Sequence, residues 1–124
     1  MALTEGKKKE WEDTLRELEL IDAEDSIEQH TAGDYWWLNT QKRGNFFFTK
    51  EKMIFTSGFG MNNFSIKYKD IVGLKKCCVG LFIPTGIKVT VQDENGEQKK
   101  YRCSVLKRKE WIAYLEGKSG VAVS

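Results

Sequence analysis

From Ser26 to Val105 the apolar residues of this chain come in short clusters with turn-forming residues between them. That spacing suits a succession of strands and leaves no stretch with a helix-length apolar stripe. The most demanding cluster is Phe46-Phe47-Phe48. Successive side chains of a strand point to opposite faces, so this run needs a strand covered on both faces or one that bends across a core. Elsewhere the pattern alternates. Phe64, Ile66 and Tyr68 alternate with Ser65, Lys67 and Lys69, a half-buried strand. Ile87, Val89 and Val91 alternate with Lys88, Thr90 and Gln92, and Tyr101, Cys103 and Val105 form the return strand. Between them Asn95-Gly96 predicts a type I′ hairpin, whose two central positions both need positive φ. Tyr35-Trp36-Trp37-Leu38 is the strongest β stretch before this, following a break at Ala32-Gly33-Asp34. Gln41-Lys42-Arg43-Gly44 reads as a turn, Met53-Ile54-Phe55 as a strand ended by Ser57-Gly58-Phe59-Gly60, and Ile71 to Val79 as another strand.

Two helices flank the strands. Trp11, Leu15, Leu18 and then Leu20 or Ile21 make an apolar stripe over about Lys8 to Ile21, with a first turn expected to fray because Lys7 to Lys9 oppose the helix dipole. Trp111, Ile112 and Leu115 make a second stripe over Lys107 to Glu116, with Gly117 as the expected C-cap, Trp111 as the anchor and Ser119 to Ser124 as a frayed end. Six or seven antiparallel strands followed by one helix give a mainly β fold, a barrel or bent sandwich plugged at one end by that helix. A chain of 124 residues suits one such domain. No apolar run approaches the roughly 20 residues that span a bilayer. Met1 to Glu10 has lysines but no apolar stretch behind them, unlike a secretory signal, and three cysteines suit a reducing compartment; the expected location is the cytoplasm.

Charge and side-chain chemistry narrow the function. The formal net charge is +2, but residues 1–40 hold four basic and eleven acidic side chains, a balance of −7, which leaves +9 for residues 41–124. The two halves either neutralise each other in the fold or the basic part has an anionic partner. His30 stands without a nucleophile or an orienting group, and Gly58-Phe59-Gly60 lacks the residues of a phosphate-cradling loop, so no enzyme is expected. Cys77, Cys78, Cys103 and His30 match the ligand count of a structural zinc, but adjacent strand residues point to opposite faces. No metal and no cofactor are expected. The tryptophans suit core or helix docking better than base stacking, and a pI near 8.4 is low for a nucleic-acid binder.

A family resemblance emerges from the order of these pieces. Gly44-Asn45-Phe46-Phe47-Phe48-Thr49, followed by Met53-Ile54-Phe55, resembles the glycine, aromatic pair, threonine and apolar-apolar-Phe signature of GRAM domains. Asn62 or Asn63 with Ile66, Tyr68, Asp70 and Ile71, the segment Gly80 to Val89, and Arg108 to Ile112 are similar to the family's later strands and closing helix. The match covers about residues 24–116 and implies a pleckstrin-homology-like barrel of a bacterial-type single-domain member. The implied organisation is an acidic amphipathic helix in residues 1–23, the domain in residues 24–117 and a flexible tail in residues 118–124. The N-terminal helix lies outside the match.

Within that frame the candidate ligand-binding residues are basic: Lys42, Arg43, Lys67, Lys69, Lys75, Lys76, Lys88, Lys107 and Arg108. Lys42-Arg43 stands where phosphoinositide-binding pleckstrin-homology domains place a basic motif, although the following strand offers no further cation until Lys50 and Lys52. Phe59, Met61, Leu81 and Phe82 are candidate apolar loop contacts. The expected role is non-catalytic binding to anionic phospholipid, peripherally at the inner membrane face. A protein partner or self-association is the alternative.

Overall fold

The computed structural model describes residues 3–37, 40–57, 61–79 and 83–124. Its elements are α1 (Glu5–Glu17), β1 (Gln29–Trp37), β2 (Thr40–Phe48), β3 (Lys52–Ser57), β4 (Met61–Lys67), a one-turn 3-10 helix (Tyr68–Asp70), β5 (Ile71–Val79), β6 (Ile83–Gln92), β7 (Gln98–Val105) and α2 (Arg108–Ser119). The seven strands form one antiparallel sheet in the order β4-β3-β2-β1-β7-β6-β5. In a flat sheet β4 and β7 would lie about 19 Å apart, at ~4.8 Å per strand. Phe64 of β4 nevertheless stacks on Tyr101 of β7 with ring centroids 4.4 Å apart, so the sheet curls into a half-barrel. α2 closes one end: Ile112 and Leu115 are buried, and Trp111 stacks on Phe48 at 4.6 Å. Trp111 itself is only partly buried, so the fully enclosed anchors of the plug are its two aliphatic neighbours.

The phenylalanine run is covered on both faces. Phe46 and Phe48 enter the barrel core, while Phe47 points outward beside Ile54, into a second cluster with Leu15, Ile21 and Ile27. α1 supplies the cover, with Trp11 and Phe47 ring centroids 4.8 Å apart. Each large side chain enclosed there contributes about 1.5–3 kcal/mol, which holds in place a helix too short to persist alone. α1 begins earlier than its apolar stripe. Thr4 is the N-cap, its hydroxyl accepting from the Lys7 amide at 3.3 Å, and Glu5 offsets the lysines against the dipole. The helix ends near Leu18, before Glu19 adopts φ 59°. Its acidic side chains also position the next segment: the Glu12 carboxylate accepts from the Ile27 amide at 2.8 Å and the Ser26 hydroxyl at 3.0 Å.

Five local expectations are corrected. Ala32-Gly33-Asp34 is no break, and Gln41 to Gly44 is no turn; both lie inside paired strands. Gly33 and Gly44 face each other where strands crowd, and a Cβ at Gly33 would sit 2.7 Å from the Ser104 carbonyl oxygen. The β6–β7 connection is not a two-residue turn. Gln92 pairs with Gln98, Asp93 accepts from the Asn95 and Glu97 amides at 2.8 and 2.9 Å, and only Gly96 (φ 83°) takes the left-handed conformation. A two-residue turn would shift the register by one and set Val89 opposite an outward side chain, so the apolar faces override the dipeptide. Finally, α2 runs past Gly117 to Ser119 and is capped by Gly120 at φ 75°. That residue turns the chain back onto β5: Val121 and Val123 pack on the core, and the Ser124 amide donates to the Leu74 carbonyl at 2.9 Å. The last residues are docked rather than frayed.

Candidate binding surfaces

The outer face of β5, β6 and β7 follows from alternation. Ile87, Val89, Tyr101 and Cys103 turn into the core, so their neighbours turn out. The register sets Lys75 opposite Lys88 and Lys88 opposite Arg102, a row of three cations across three strands. Lys100 lies one step along the same face. Like charges directly opposite one another in a sheet cost stability, by up to about 1 kcal/mol each. Among the described residues none of the three forms an ion pair. Next to the row, Gly86 lies opposite Cys77, and the Arg108 guanidinium donates to both carbonyls at 3.4 Å, tying the start of α2 to the sheet. Burial raises the Cys77 thiol above its ordinary pKa, opposed by the neighbouring Arg102, Lys88 and Arg108 charges. Toward the β5–β6 connection two apolar side chains are exposed, Ile83 at 47% and Leu106 at 82%.

The open end of the barrel holds a second arrangement. Lys42 of β2 and Lys99 of β7 continue the inward columns beyond the core and line a cavity of about 420 Å³ with Tyr35, Trp37, Phe64 and Tyr101. The aromatic floor is closely packed, with Tyr35 and Phe64 at 5.0 Å. Lys99 Nζ lies 5.0 Å from the Tyr101 ring centroid. Burial raises the Tyr35 hydroxyl pKa, against the pull of Lys99. Trp37 stands 61% exposed at the rim.

The sequence candidates therefore do not converge on one site. Lys42 lines the open end, whereas Arg43 points outward and pairs with Asp34 at 3.6 Å. Lys75 and Lys88 belong to the cationic row. Lys76, paired with the buried Ile87, lies on the opposite face from Lys75. Lys67 and Lys69 line a second cavity beside the end of α2, with Lys69 on the 3-10 helix rather than on a strand. Lys107 precedes α2 at φ 58°, with no side-chain capping bond. Phe59, Leu81 and Phe82 lie outside the described residues; Met61 begins β4, and its side chain is likewise outside the description. Cys77 and Cys103 face opposite sides of the sheet. His30 Nε2 lies 2.9 Å from Asn45 Oδ1 on the outer face of β1 and β2. Sequence reasoning missed Arg102, Lys99, Lys50 and Lys118. The first two were within reach, because the alternation of β6 and β7 puts Arg102 on the outer face with Lys88 and Lys99 on the inward column of Tyr101, although the register decides which cations meet.

No protein-family model and no curated protein sequence matches the chain. Solved structures do match. The C-terminal domain of an unknown protein from Leishmania infantum superposes with a TM-score of 0.69 at 17% identity, covering 91% of this chain and 97% of that one. The DH/PH domains of PDZ-RhoGEF in complex with activated RhoA superpose with a TM-score of 0.64 at 8% identity, covering 86% of this chain and 33% of that one. Those of p115-RhoGEF give 0.59 at 11% identity, over 86% and 34%. The chain thus spans about a third of the RhoGEF fragments and nearly all of the Leishmania domain. Its fold is pleckstrin-homology-like.

Proposed function

We propose that this chain is a non-catalytic, GRAM-type binding module that attaches peripherally to an anionic membrane surface, at the cytoplasmic side. The observation that carries the reading is the row Lys75–Lys88–Arg102 on the outer sheet face, with Ile83 and Leu106 exposed beyond it. Three unneutralised cations in register lose mutual repulsion when they meet lipid phosphate, and each is worth about 1 kcal/mol near an anionic leaflet. The apolar side chains add a term that salt does not screen. The acidic segment supports the same orientation. α1 covers the outer face of β2 and β3, and its neighbourhood meets the basic half through Asp25–Lys52 and Glu28–Lys118, leaving the row unneutralised. Co-sedimentation of the full chain with phosphatidylcholine vesicles containing increasing phosphatidylserine tests this. Binding should rise with the anionic fraction and fall with salt; equal sedimentation with neutral and anionic vesicles contradicts it.

A protein partner is the second reading, and one feature favours it: exposed Trp37 beside the aromatic open-end cavity. Aromatic side chains with one face free are typical anchors of protein interfaces. Among the similar folds, the PDZ-RhoGEF fragment is in complex with the protein RhoA. A partner held at this end would depend on Trp37 and be indifferent to Lys75 and Lys88.

A further inference from the structure

The cations at the α2 end of the barrel belong to neither surface. Lys50, Lys67, Lys69 and Lys118 line one cavity of about 290 Å³ with Glu51 and Tyr68. They arrive from the β2–β3 turn, β4, the 3-10 helix and α2, and the scaffold beneath them is fixed. Thr49 is fully buried, and its hydroxyl accepts from the amides of Glu51 at 3.3 Å and Lys52 at 3.1 Å, closing the β2–β3 turn. Buried Tyr68 ties that turn to the end of β4: its hydroxyl donates to the Thr49 carbonyl at 2.8 Å and its amide to the Glu51 carbonyl at 3.0 Å. Lys50 at the turn, and Lys67 and Lys69 on either side of Tyr68, are thereby held on one cross-linked backbone. Lys118 joins from the last turn of α2. Its ammonium donates to Glu28 at 3.0 Å and lies 5.8 Å from the Tyr68 ring centroid and 5.6 Å from that of Tyr114.

The charges in this cavity do not balance. Glu28 engages Lys118, and Glu51 is the one carboxylate among the lining residues. Lys52, the cross-strand neighbour of Lys67, is engaged by Asp25 at 3.7 Å. Among the described residues Lys50, Lys67 and Lys69 form no ion pair. Four ammonium groups against Glu28 and Glu51 leave an excess of two positive charges around a concave space. A terminal phosphate carries about −1.5 to −2 at neutral pH and offers three strong acceptor oxygens. Lysine ammonium groups bind phosphate as compact point charges, which suits several of them converging on one group.

We propose that this cavity binds a terminal phosphate group, presented by a small soluble molecule or by a lipid headgroup. The site is separate from the cationic row and does not rest on it. The test is an amide NMR titration of the full chain with inorganic pyrophosphate at low salt. Lys50, Lys67 to Asp70 and Lys118 should shift saturably. Joint Lys67→Ala and Lys69→Ala substitution should weaken binding about tenfold or more. Joint Lys75→Ala and Lys88→Ala substitution should leave it unchanged. Lys67 and Lys69 are exposed, so the first variant should keep the wild-type amide dispersion, and a single Lys50→Ala change, expected to weaken binding in the same direction, provides an independent check. Vesicles carrying phosphatidylinositol 4-phosphate, compared with phosphatidylserine vesicles, separate the two sources. A loss confined to the phosphoinositide vesicles on removing Lys67 and Lys69 assigns a lipid headgroup, and pyrophosphate binding without that loss assigns a soluble phosphate. Absence of saturable shifts, shifts spread over the cationic row, or unchanged pyrophosphate affinity in the Lys67/Lys69 variant overturns the proposal.

Discussion

Replacing Phe47 by alanine tests how the N-terminal helix is held. Phe47 is fully buried, yet it lies on the outer face of the sheet, so its burial exists only because α1 covers it. Emptying an enclosed phenylalanine site costs about 3–5 kcal/mol, from lost transfer free energy and the cavity left behind. The ring also contacts Trp11 at 4.8 Å and His30 at 5.0 Å between centroids, and both contacts vanish with it. Urea denaturation followed by tryptophan fluorescence reads this cost. With a slope of about 2 kcal/mol per molar, the midpoint should fall by about 2 M. Hydrogen exchange should show the α1 amides losing protection first, because the barrel core of Phe46, Phe48 and Phe55 stays intact. Were α1 not seated on β2 and β3, Phe47 would be a surface residue and its loss nearly neutral. A cost below about 1 kcal/mol would therefore refute the packing of α1, and with it the account of the phenylalanine run.

Two further predictions concern the barrel. Gly33→Ala should destabilise by about 1–3 kcal/mol, because the added methyl would lie 2.7 Å from the Ser104 carbonyl and 2.8 Å from the Phe46 ring; an unchanged thermal midpoint would show that β1 and β7 can separate there. Burial raises the hydroxyl pKa values of Tyr35, Tyr68 and Tyr114 above the ordinary 10.0. The folded chain then keeps protons that the unfolded chain releases, so this contribution is complete below pH 10 and is lost as pH rises above it. Tyrosinate absorbance should lag behind that of free tyrosine until the chain unfolds, and three hydroxyls titrating normally in the folded state would contradict the buried positions.

The fold was legible wherever burial on one face governs the pattern. The alternation at Ile87-Val89-Val91 and Tyr101-Cys103-Val105 outranks the Asn95-Gly96 signal, and the observed register obeys the apolar faces. The phenylalanine run left open a strand covered on both faces or one bending across a core, and nothing in it says that α1 is the cover; that link joins residues far apart in sequence. Gly33 and Gly44 resemble turn residues because the same lack of a side chain serves a turn and a close strand contact, and only the neighbouring strands decide between them. The tail was unreadable because Val121 and Val123 gain their burial from β5, reached through the turn at Gly120. For the candidate sites the difficulty was of another kind. Each cation was visible, but its neighbours are set by register: Lys75 joins Lys88 and Arg102 across strands, while its sequence neighbour Lys76 faces away.

The measurement that bears most directly on the proposed function is the affinity of a row variant for anionic vesicles at two salt concentrations. Lys75→Ala with Lys88→Ala removes two of three cations in register, at about 1 kcal/mol each, and should weaken binding roughly 30-fold in low salt. The difference from wild type should shrink as salt rises, because screening removes the same attraction. Lys76→Ala, on the opposite face from Lys75, should change affinity far less than Lys75→Ala. Equal losses from Lys75→Ala and Lys76→Ala, or no loss from the row variant, would contradict membrane binding through this face.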